Sequence, residues 1–229
     1  MEDLAQIGAF NRCDVAFLLS SEDMFRVIDS TYIEKRVMGM TYIGGVCKEY
    51  KVAVAEDKPH TYEGVLTLAH ELAHLLGADH DNASGEDANM TGYPGSQSCP
   101  WEDGYLMSYV GSGRNKHRLS NCSKEQIRFV FKTLPRSCVE VSAAALFTTT
   151  SYPGQNMTRR QFCQTMHSGN FTAKPYQKHH KRHKNCKIKC CWRGEEGWLW
   201  CEEHNMPEGL KCAPGKTCRR GVCARHAWK

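Results

Sequence analysis

The sequence predicts two domains: an α+β or α/β domain with a mixed sheet in residues 1–138, and a small disulfide-rich, loop-rich domain in residues 154–229. Short apolar runs and segments with helical periodicity occur throughout residues 1–138. Eight of the 13 cysteines fall in the second domain. The charge also changes sign: residues 1–138 hold 14 Lys/Arg and 19 Asp/Glu, net −5, whereas residues 139–229 hold 16 and 6, net +10. The Ser/Thr-rich segment 139–153 between them is a predicted linker.

Three short apolar segments of the first domain are predicted strands. Residues 13–20, CDVAFLLS, are expected to form a buried strand. Residues 40–47 predict a strand or extended segment that ends in a Gly-Gly turn, and residues 51–57 predict a second short strand.

Two helices are predicted in the same domain. The first lies within residues 60–77, where Gly77 is placed to end the helix in the left-handed region. The second covers residues 123–134, with Ser123 as the cap and Gln126 completing a capping box. Its apolar face is expected to consist of Ile127, Val130, Phe131 and Leu134.

Residues 70–81, HELAHLLGADHD, have the spacing of a catalytic zinc site. His70 and His74 are four residues apart, so a helix projects both from one face towards a single ion. A turn at Gly77 can return His80 as a third ligand. Three protein ligands leave a fourth position for water, which is typical of catalytic zinc sites. Glu71 is placed to touch that water without binding the metal.

This segment matches H-E-x-x-H-x-x-G-x-x-H, the metzincin zinc-protease signature. Asp81, directly after the third histidine, resembles the adamalysin/reprolysin branch, which includes snake-venom metalloproteases, ADAM and ADAMTS proteins, and tick salivary metalloproteases. Met107 in LMSY is similar to the Met-turn that underlies the zinc in that family. The alternative is a chance HExxH on an ordinary helix, against which Gly77, His80, Asp81 and Met107 argue together.

The resemblance implies a zinc endopeptidase with one catalytic Zn²⁺, bound by His70, His74 and His80, and with Glu71 as the general base. It implies a substrate-binding edge strand, here expected at Val52, Ala53, Val54 and Ala55, although such a strand can also be structural only. Ser108, Tyr109 and Val110 are expected to line the primary specificity pocket. The disulfides it implies are Cys47–Cys138 and Cys99–Cys122.

The second domain resembles the disintegrin-like module that follows the protease in ADAMTS proteins, on YPGQNMTRRQFCQTMHSG, CKIKCCW and WLWCEEHNMPEGLKCAPGKTCRRGVC. Its eight cysteines are consistent with four internal bridges. No RGD tripeptide occurs, so the resemblance alone does not imply integrin binding. The module is either a scaffold beside the protease or a substrate-recruiting surface.

Cys13 has no partner among these pairs. It is expected to pair with an upstream segment or to be a buried free thiol. The family's domain begins upstream of residue 13, and residues 1–10 carry no secretory signal, so the chain is expected to be N-terminally truncated. The alternative function is therefore a catalytically inert protein that binds partners through its basic cysteine-rich domain.

Cysteine density and five N-x-S/T sequons are typical of a secreted glycoprotein, and no apolar run reaches the length of a membrane span. Matrix or plasma proteins are the expected substrates, with an anti-haemostatic role if the chain is tick-like. Nucleic acid is disfavoured as a partner. The basic run 174–189 is either a solvated loop or a patch for heparin-like glycans, formed by Lys178, Lys181, Arg182 and Lys184.

Overall fold

The structure is a computed structural model of the 229-residue chain, and it describes residues 10–28, 31–110, 113, 115–140, 151–167, 170–176, 185–194 and 196–226. The chain divides into two compact units. The first is Met1–Lys58 with Glu63–Ala144, and the second is Pro59–Tyr62 with Ala145–Lys229. Most of the predicted linker lies outside the described residues. Within the described ranges, no helix is long and apolar enough to cross a membrane.

The sheet of the first unit has three strands in the order β1-β5-β4. Strand β1, Ala16–Ser20, runs parallel to β5, Val52–Glu56, with Ala16 opposite Val52. Strand β4, Gly39–Thr41, is antiparallel to β5. Strands β2, Met24–Val27, and β3, Ile33–Val37, form a separate antiparallel hairpin.

The central position of β5 corrects the prediction that Val52, Ala53, Val54 and Ala55 form a substrate-binding edge strand. Strand β5 pairs with β1 on one side and with β4 on the other, so its backbone groups are already used. Val52, Ala53 and Ala55 are buried, as expected for a central strand. The prediction is wrong because the order of strands in this sheet differs from their order in the sequence.

The prediction of a buried strand over residues 13–20 is also wrong in part. Strand β1 begins only at Ala16, and Leu18 and Leu19 are 48% and 53% exposed. Among the described strands, β1 lies at an edge of its sheet and pairs only with β5, which leaves these side chains accessible.

Helix α1, Gly64–Leu76, ends at Gly77, which has φ 117° and donates its backbone N–H to the carbonyls of Ala73 and His74. This is the left-handed end that the sequence predicts. A Cβ on Gly77 would also lie 2.8 Å from the Cβ of Val130, so both conformation and packing require glycine.

Helix α2, Asn121–Thr133, packs against α1 and is followed by the short α3, Arg136–Val139. Its N-cap is Ser120, whose Oγ accepts the backbone N–H of Ser123 at 3.1 Å. The predicted cap at Ser123 is therefore wrong, because the helix begins two residues earlier. Gln126 forms no capping box, since its side chain bonds to a neighbouring loop. The predicted apolar face is narrower than expected: Val130 is fully buried, whereas Phe131 is 39% exposed.

The second unit combines helix α4, Arg159–Met166, with two antiparallel sheets. Helix α4 begins with a capping box between Thr158 and Gln161. One sheet has the order β6-β7-β8 and the other β11-β10-β9. Their bounds are β6 Lys174–Pro175, β7 Lys187–Arg193, β8 Leu199–Asn205, β9 Lys211–Ala213, β10 Lys216–Arg219 and β11 Val222–Ala224. Apolar side chains and half-cystines form its core, among them Phe162, Met166, Ile188 and Leu210.

Six disulfides are present. Cys47–Cys138 and Cys99–Cys122 lie in the first unit and are the two pairs that the family resemblance implies. The second unit contains four: Cys163–Cys190, Cys186–Cys218, Cys191–Cys201 and Cys212–Cys223. Cys13 is a free cysteine and is exposed, which corrects the alternative that it is a buried thiol.

Candidate active site

The three histidines of the motif converge on one point. The Nε2 atom of His70 lies 3.1 Å from that of His74 and 3.1 Å from that of His80, and the third side of the triangle is 3.2 Å. Two ligands bound tetrahedrally at about 2.0–2.1 Å from Zn²⁺ are roughly 3.3 Å apart. The triangle therefore has the size that a single zinc ion requires.

The hydrogen bonds on the other side of the rings set the tautomers. His70 donates from Nδ1 to the carbonyl of Leu106 at 2.8 Å, and His74 donates from Nδ1 to the carbonyl of Ala78 at 2.7 Å. A carbonyl can only accept, so in the neutral rings both Nε2 atoms carry lone pairs. Two lone pairs that face each other at 3.1 Å repel unless a cation lies between them. The donor set thus fits a metal ion.

The pKa values of the three imidazoles also favour metal binding. Burial, followed by the neighbouring His70 and His80, lowers the pKa of His74 to about 3. Burial and then His70 lower the pKa of His80 to about 4, and burial lowers that of His70. All three imidazoles are therefore neutral, as metal ligands must be, at physiological pH.

The loop after α1 holds His80 in place through four hydrogen bonds. The backbone N–H of His80 donates to Asp79 Oδ1 at 2.7 Å, and its carbonyl accepts from Ser96 Oγ at 2.5 Å. Gln126, which is fully buried on α2, accepts the N–H of Asp79 and donates to the carbonyl of Pro94, both at 3.0 Å. None of these supporting contacts was predicted. The bonds of Ser96 and Gln126 join segments distant in sequence, and the Asp79 bond depends on the local conformation of the loop.

Met107 lies next to the helix and the loop that carry the three histidines. It is completely buried and packs with Ala73 of α1 and Ala78. Its carbonyl accepts the backbone N–H of Asp81 at 3.0 Å, and Asp81 in turn accepts from Ser120 Oγ at 2.6 Å. Met107 is therefore bound to the loop of His80, and Asp81 of that loop connects it to the N-cap of α2.

Glu71 is 6% exposed and lies on α1 directly after His70. Burial raises the pKa of its carboxyl group to about 7. A carboxyl group whose pKa is near the working pH can both accept and return a proton. The structure thus places Glu71 in an environment suited to a general base.

Strand β4 runs beside this carboxylate. A Cβ built on Gly39 would lie 2.7 Å from Glu71 Cδ and closer still to Oε1, so only glycine leaves room for the side chain. Strand β4 pairs with β5 on one side and, among the described strands, with no other. The edge of the sheet next to Glu71 is therefore β4 and not the predicted β5. Gly39 was not predicted at the site because a single glycine at the start of a short strand has no distinctive sequence signal.

The three residues after Met107 differ in their exposure and in their contacts. Ser108 is buried, and its Oγ donates to the carbonyl of Tyr105 at 3.0 Å, which holds it within the turn. Tyr109 is 72% exposed, and its hydroxyl lies 3.1 Å from His80 Nε2. Trp101 stands perpendicular to Tyr109, with ring centroids 5.2 Å apart. Val110 is half-buried. Trp101 was not predicted at this site.

The four predicted polyanion-binding residues, Lys178, Lys181, Arg182 and Lys184, lie outside the described residues.

Comparison with known proteins agrees with this geometry. Residues 16–133 match the metallo-peptidase family M12B, reprolysin-like. The matched segment contains all three histidines, Glu71 and Met107. The chain belongs to the M12B reprolysin-like metallopeptidases. The predicted family is thereby confirmed.

Individual relatives of this reprolysin-like chain are venom metalloproteinases and ADAMTS proteins. The venom metalloproteinase antarease-like TfasMP_A of Tityus fasciolatus is 32% identical over 135 residues, 58% of this chain and 57% of that protein. A disintegrin and metalloproteinase with thrombospondin motifs like, from Bombyx mori, is 26% identical over 92% of this chain and 30% of its own length. A disintegrin and metalloproteinase with thrombospondin motifs 19, from Mus musculus, is 26% identical over 98% of this chain and 17% of its own length. This chain therefore spans about half, or less, of the length of these relatives.

Proposed function

We propose that this reprolysin-like chain is a secreted zinc endopeptidase that cleaves matrix or plasma proteins. The convergence of three imidazole Nε2 atoms within 3.1–3.2 Å beside the buried Glu71 carries the proposal. Similarity to venom metalloproteinases favours protein substrates outside the cell, with an anti-haemostatic role as the specific expectation. Six disulfides fit an oxidising, extracellular compartment.

His70, His74 and His80 would hold the zinc ion through Nε2. When bound, zinc supplies Lewis-acid chemistry, polarising a carbonyl and lowering the pKa of water. Glu71 accepts the proton of the attacking water and passes it to the departing amine, so one carboxyl group serves both steps. Its raised pKa favours this double role, because neither protonation state is strongly preferred near neutral pH.

Strand β4 is the proposed binding edge for the substrate. An extended peptide that pairs with Gly39–Thr41 continues the sheet and brings its backbone to Glu71, next to Gly39. Backbone pairing of this kind recognises an extended main chain with few demands on side chains. It therefore favours cleavage within flexible or unfolded segments of proteins.

Tyr109 is proposed to donate a hydrogen bond to the substrate carbonyl as negative charge develops on it. Its hydroxyl lies 3.1 Å from His80 Nε2, where it is partly shielded from water although most of the side chain is exposed. This shielding, followed by the nearby Glu71, raises the pKa of Tyr109, so the hydroxyl stays protonated and able to donate. Tyr109→Phe removes only this hydroxyl. We expect kcat for a peptide to fall by about 10-fold or more with little change in KM.

The endopeptidase proposal is tested with gelatin, fibrinogen and fibronectin as substrates. The full chain is incubated with each, and the new N-termini of the fragments are sequenced. We expect internal cleavage that a chelator abolishes and added zinc restores. Cleavage that continues after complete removal of zinc, or release of terminal residues only, would contradict the proposal.

A further inference from the structure

A second pair of histidines converges in the second unit, away from the predicted motif. His167 is the residue at the C-terminal end of α4, and His204 lies on β8. Their Nε2 atoms are 3.0 Å apart, close to the 3.1–3.2 Å separations of the His70, His74 and His80 cluster. The same ring atoms thus approach each other in both places.

A carboxylate lies beside this pair. Glu202 and His204 are two residues apart on β8, so their side chains start from the same face of the strand. Glu202 Oε2 is 3.8 Å from His204 Nε2. Cys190 is also close to both histidines, but it is disulfide-bonded to Cys163 and has no thiolate to offer.

The surroundings fix the two rings. The ring of Trp192 lies 3.8 Å from that of His167 at 32°, and Phe162 meets His204 edge-on at 6.3 Å. The backbones are also tied together, since Cys163–Cys190 joins α4 to β7 and Cys191–Cys201 joins β7 to β8. His204 itself is 7% exposed. The pair is therefore preorganised by packing and covalent links.

We propose that His167, His204 and Glu202 form a second metal site, which binds Zn²⁺ independently of the active site. Two imidazole nitrogens and one carboxylate oxygen are ligand types that zinc accepts. Glu202 is exposed and its Oε2 is 3.8 Å from His204 Nε2, so binding as the third ligand requires its side chain to move towards the pair, which the surrounding solvent leaves room for. The bound ion links the end of α4 to β8 and stabilises the second unit, because the folded state alone presents all three ligands together.

A hydrogen bond from one Nε2–H to the other Nε2 produces the same 3.0 Å separation, and metal uptake distinguishes the two arrangements. The experiment measures zinc per chain after equilibrium dialysis at neutral pH, using the full chain with Glu71→Gln to prevent self-digestion. We expect two zinc ions per chain. His167→Ala and His204→Gln should each reduce this to one, while the same changes with Glu71 intact leave the active-site zinc bound.

Two control variants separate this site from other histidines. His226→Ala removes a histidine of the same unit whose Nε2 bonds to the Val222 carbonyl, and should leave two zinc ions. The triple change His179→Ala, His180→Ala and His183→Ala should also leave two. Loss of the second zinc in the triple variant, with its retention in His167→Ala and His204→Gln, would show that the pair is only hydrogen-bonded.

Glu202→Gln tests the third ligand without risk to the core. Because Glu202 is exposed, its replacement should not affect folding, and we expect the affinity of the second zinc to fall by about 10-fold or more. An unchanged affinity in Glu202→Gln would remove Glu202 from the site. One zinc per chain in the parent protein at saturating zinc, retained in both His167→Ala and His204→Gln, would overturn the whole proposal.

Discussion

At the scale of the residue, Gly39 has a more specific role than its place in a short strand suggests. Its missing side chain makes room for Glu71, the proposed general base, and any Cβ there would overlap the carboxylate. A glycine in a strand often marks such a close approach. We infer that Gly39 positions Glu71 and thereby links the substrate-binding edge to the proton-transfer group.

Replacing Gly39 with alanine should displace Glu71. We expect Gly39→Ala to lower kcat/KM for a peptide by about 100-fold, the size of effect seen when a catalytic group is misplaced by about 1 Å. Zinc content should remain at the wild-type value, because the imidazoles are not touched. Steady-state kinetics and metal analysis of the same preparation measure both quantities.

A double-mutant cycle shows whether the effect of Gly39→Ala is caused by overlap between the new Cβ and Glu71. If it is, Gly39→Ala destabilises the wild-type protein but costs little free energy of unfolding in a Glu71→Ala background, where the space is empty. Equal destabilisation in the two backgrounds would mean that Gly39 matters for another reason.

At the scale of the element, α2 supports the metal site as well as the core. The side chain of Gln126 joins Asp79 and Pro94, and thus fixes the loop that carries His80. Its buried position in the helix interior is explained by these two bonds and not by helix capping.

Gln126→Leu keeps the volume and removes both bonds. It leaves the buried N–H of Asp79 and the partly buried carbonyl of Pro94 without these partners, so we expect the free energy of unfolding to fall by about 2–3 kcal/mol. Zinc affinity should fall as well, because His80 loses its support. Lys124→Ala, on the exposed side of α2, is the control and should change stability by less than about 0.5 kcal/mol. Similar urea midpoints for the two variants would contradict this role of Gln126.

The elements themselves were more predictable than their arrangement. Periodicity and the Gly77 signal locate α1, and α2 differs from its predicted start by two residues. The position of β5 between β1 and β4 was not predictable, because pairing partners are set by tertiary contacts and not by the residues of the strand. The histidine ligands were predictable because their spacing is local. Gly39, Ser96 and Gln126 were not, because they reach the site from distant segments.

At the scale of the whole molecule, the two units differ in what stabilises them. The second unit contains four disulfides, and eight cysteines allow 105 pairings, so its connectivity could not be predicted from sequence. The two pairs of the first unit were implied by family resemblance, not by the residues themselves. The charge difference of net −5 and net +10 between residues 1–138 and 139–229 is visible in the sequence alone.

The stability of the metal-free protein should depend on pH. His70, His74 and His80 have lowered pKa values in the folded state, so between pH 6.5 and about 5 the unfolded chain binds more protons at these sites. Glu71, whose pKa is raised to about 7, acts in the opposite direction. Burial also raises the pKa values of Asp79 and Asp81 from the ordinary value of 3.8, so these two groups oppose the histidines mainly at the acid end of the window. The three histidines therefore leave a net loss of stability as pH falls from 6.5 to about 5.

Urea denaturation of the metal-free chain at several pH values measures this dependence. Each net proton contributes up to about 1.4 kcal/mol per pH unit. We expect the Glu71→Gln variant to show a steeper loss, because the opposing carboxyl group is gone. A metal-free protein as stable at pH 5 as at pH 6.5 would contradict the environment assigned to the three imidazoles.

The most direct test of the proposed chemistry compares zinc content with peptide cleavage in two variants. Glu71→Gln should bind zinc at the active site as the wild type does but lose cleavage by about 10²–10⁴-fold, because only proton transfer is removed. His74→Ala should lose both the zinc and the cleavage. We expect this difference between the two variants. Wild-type cleavage by zinc-loaded Glu71→Gln, or loss of active-site zinc from both variants alike, would contradict it.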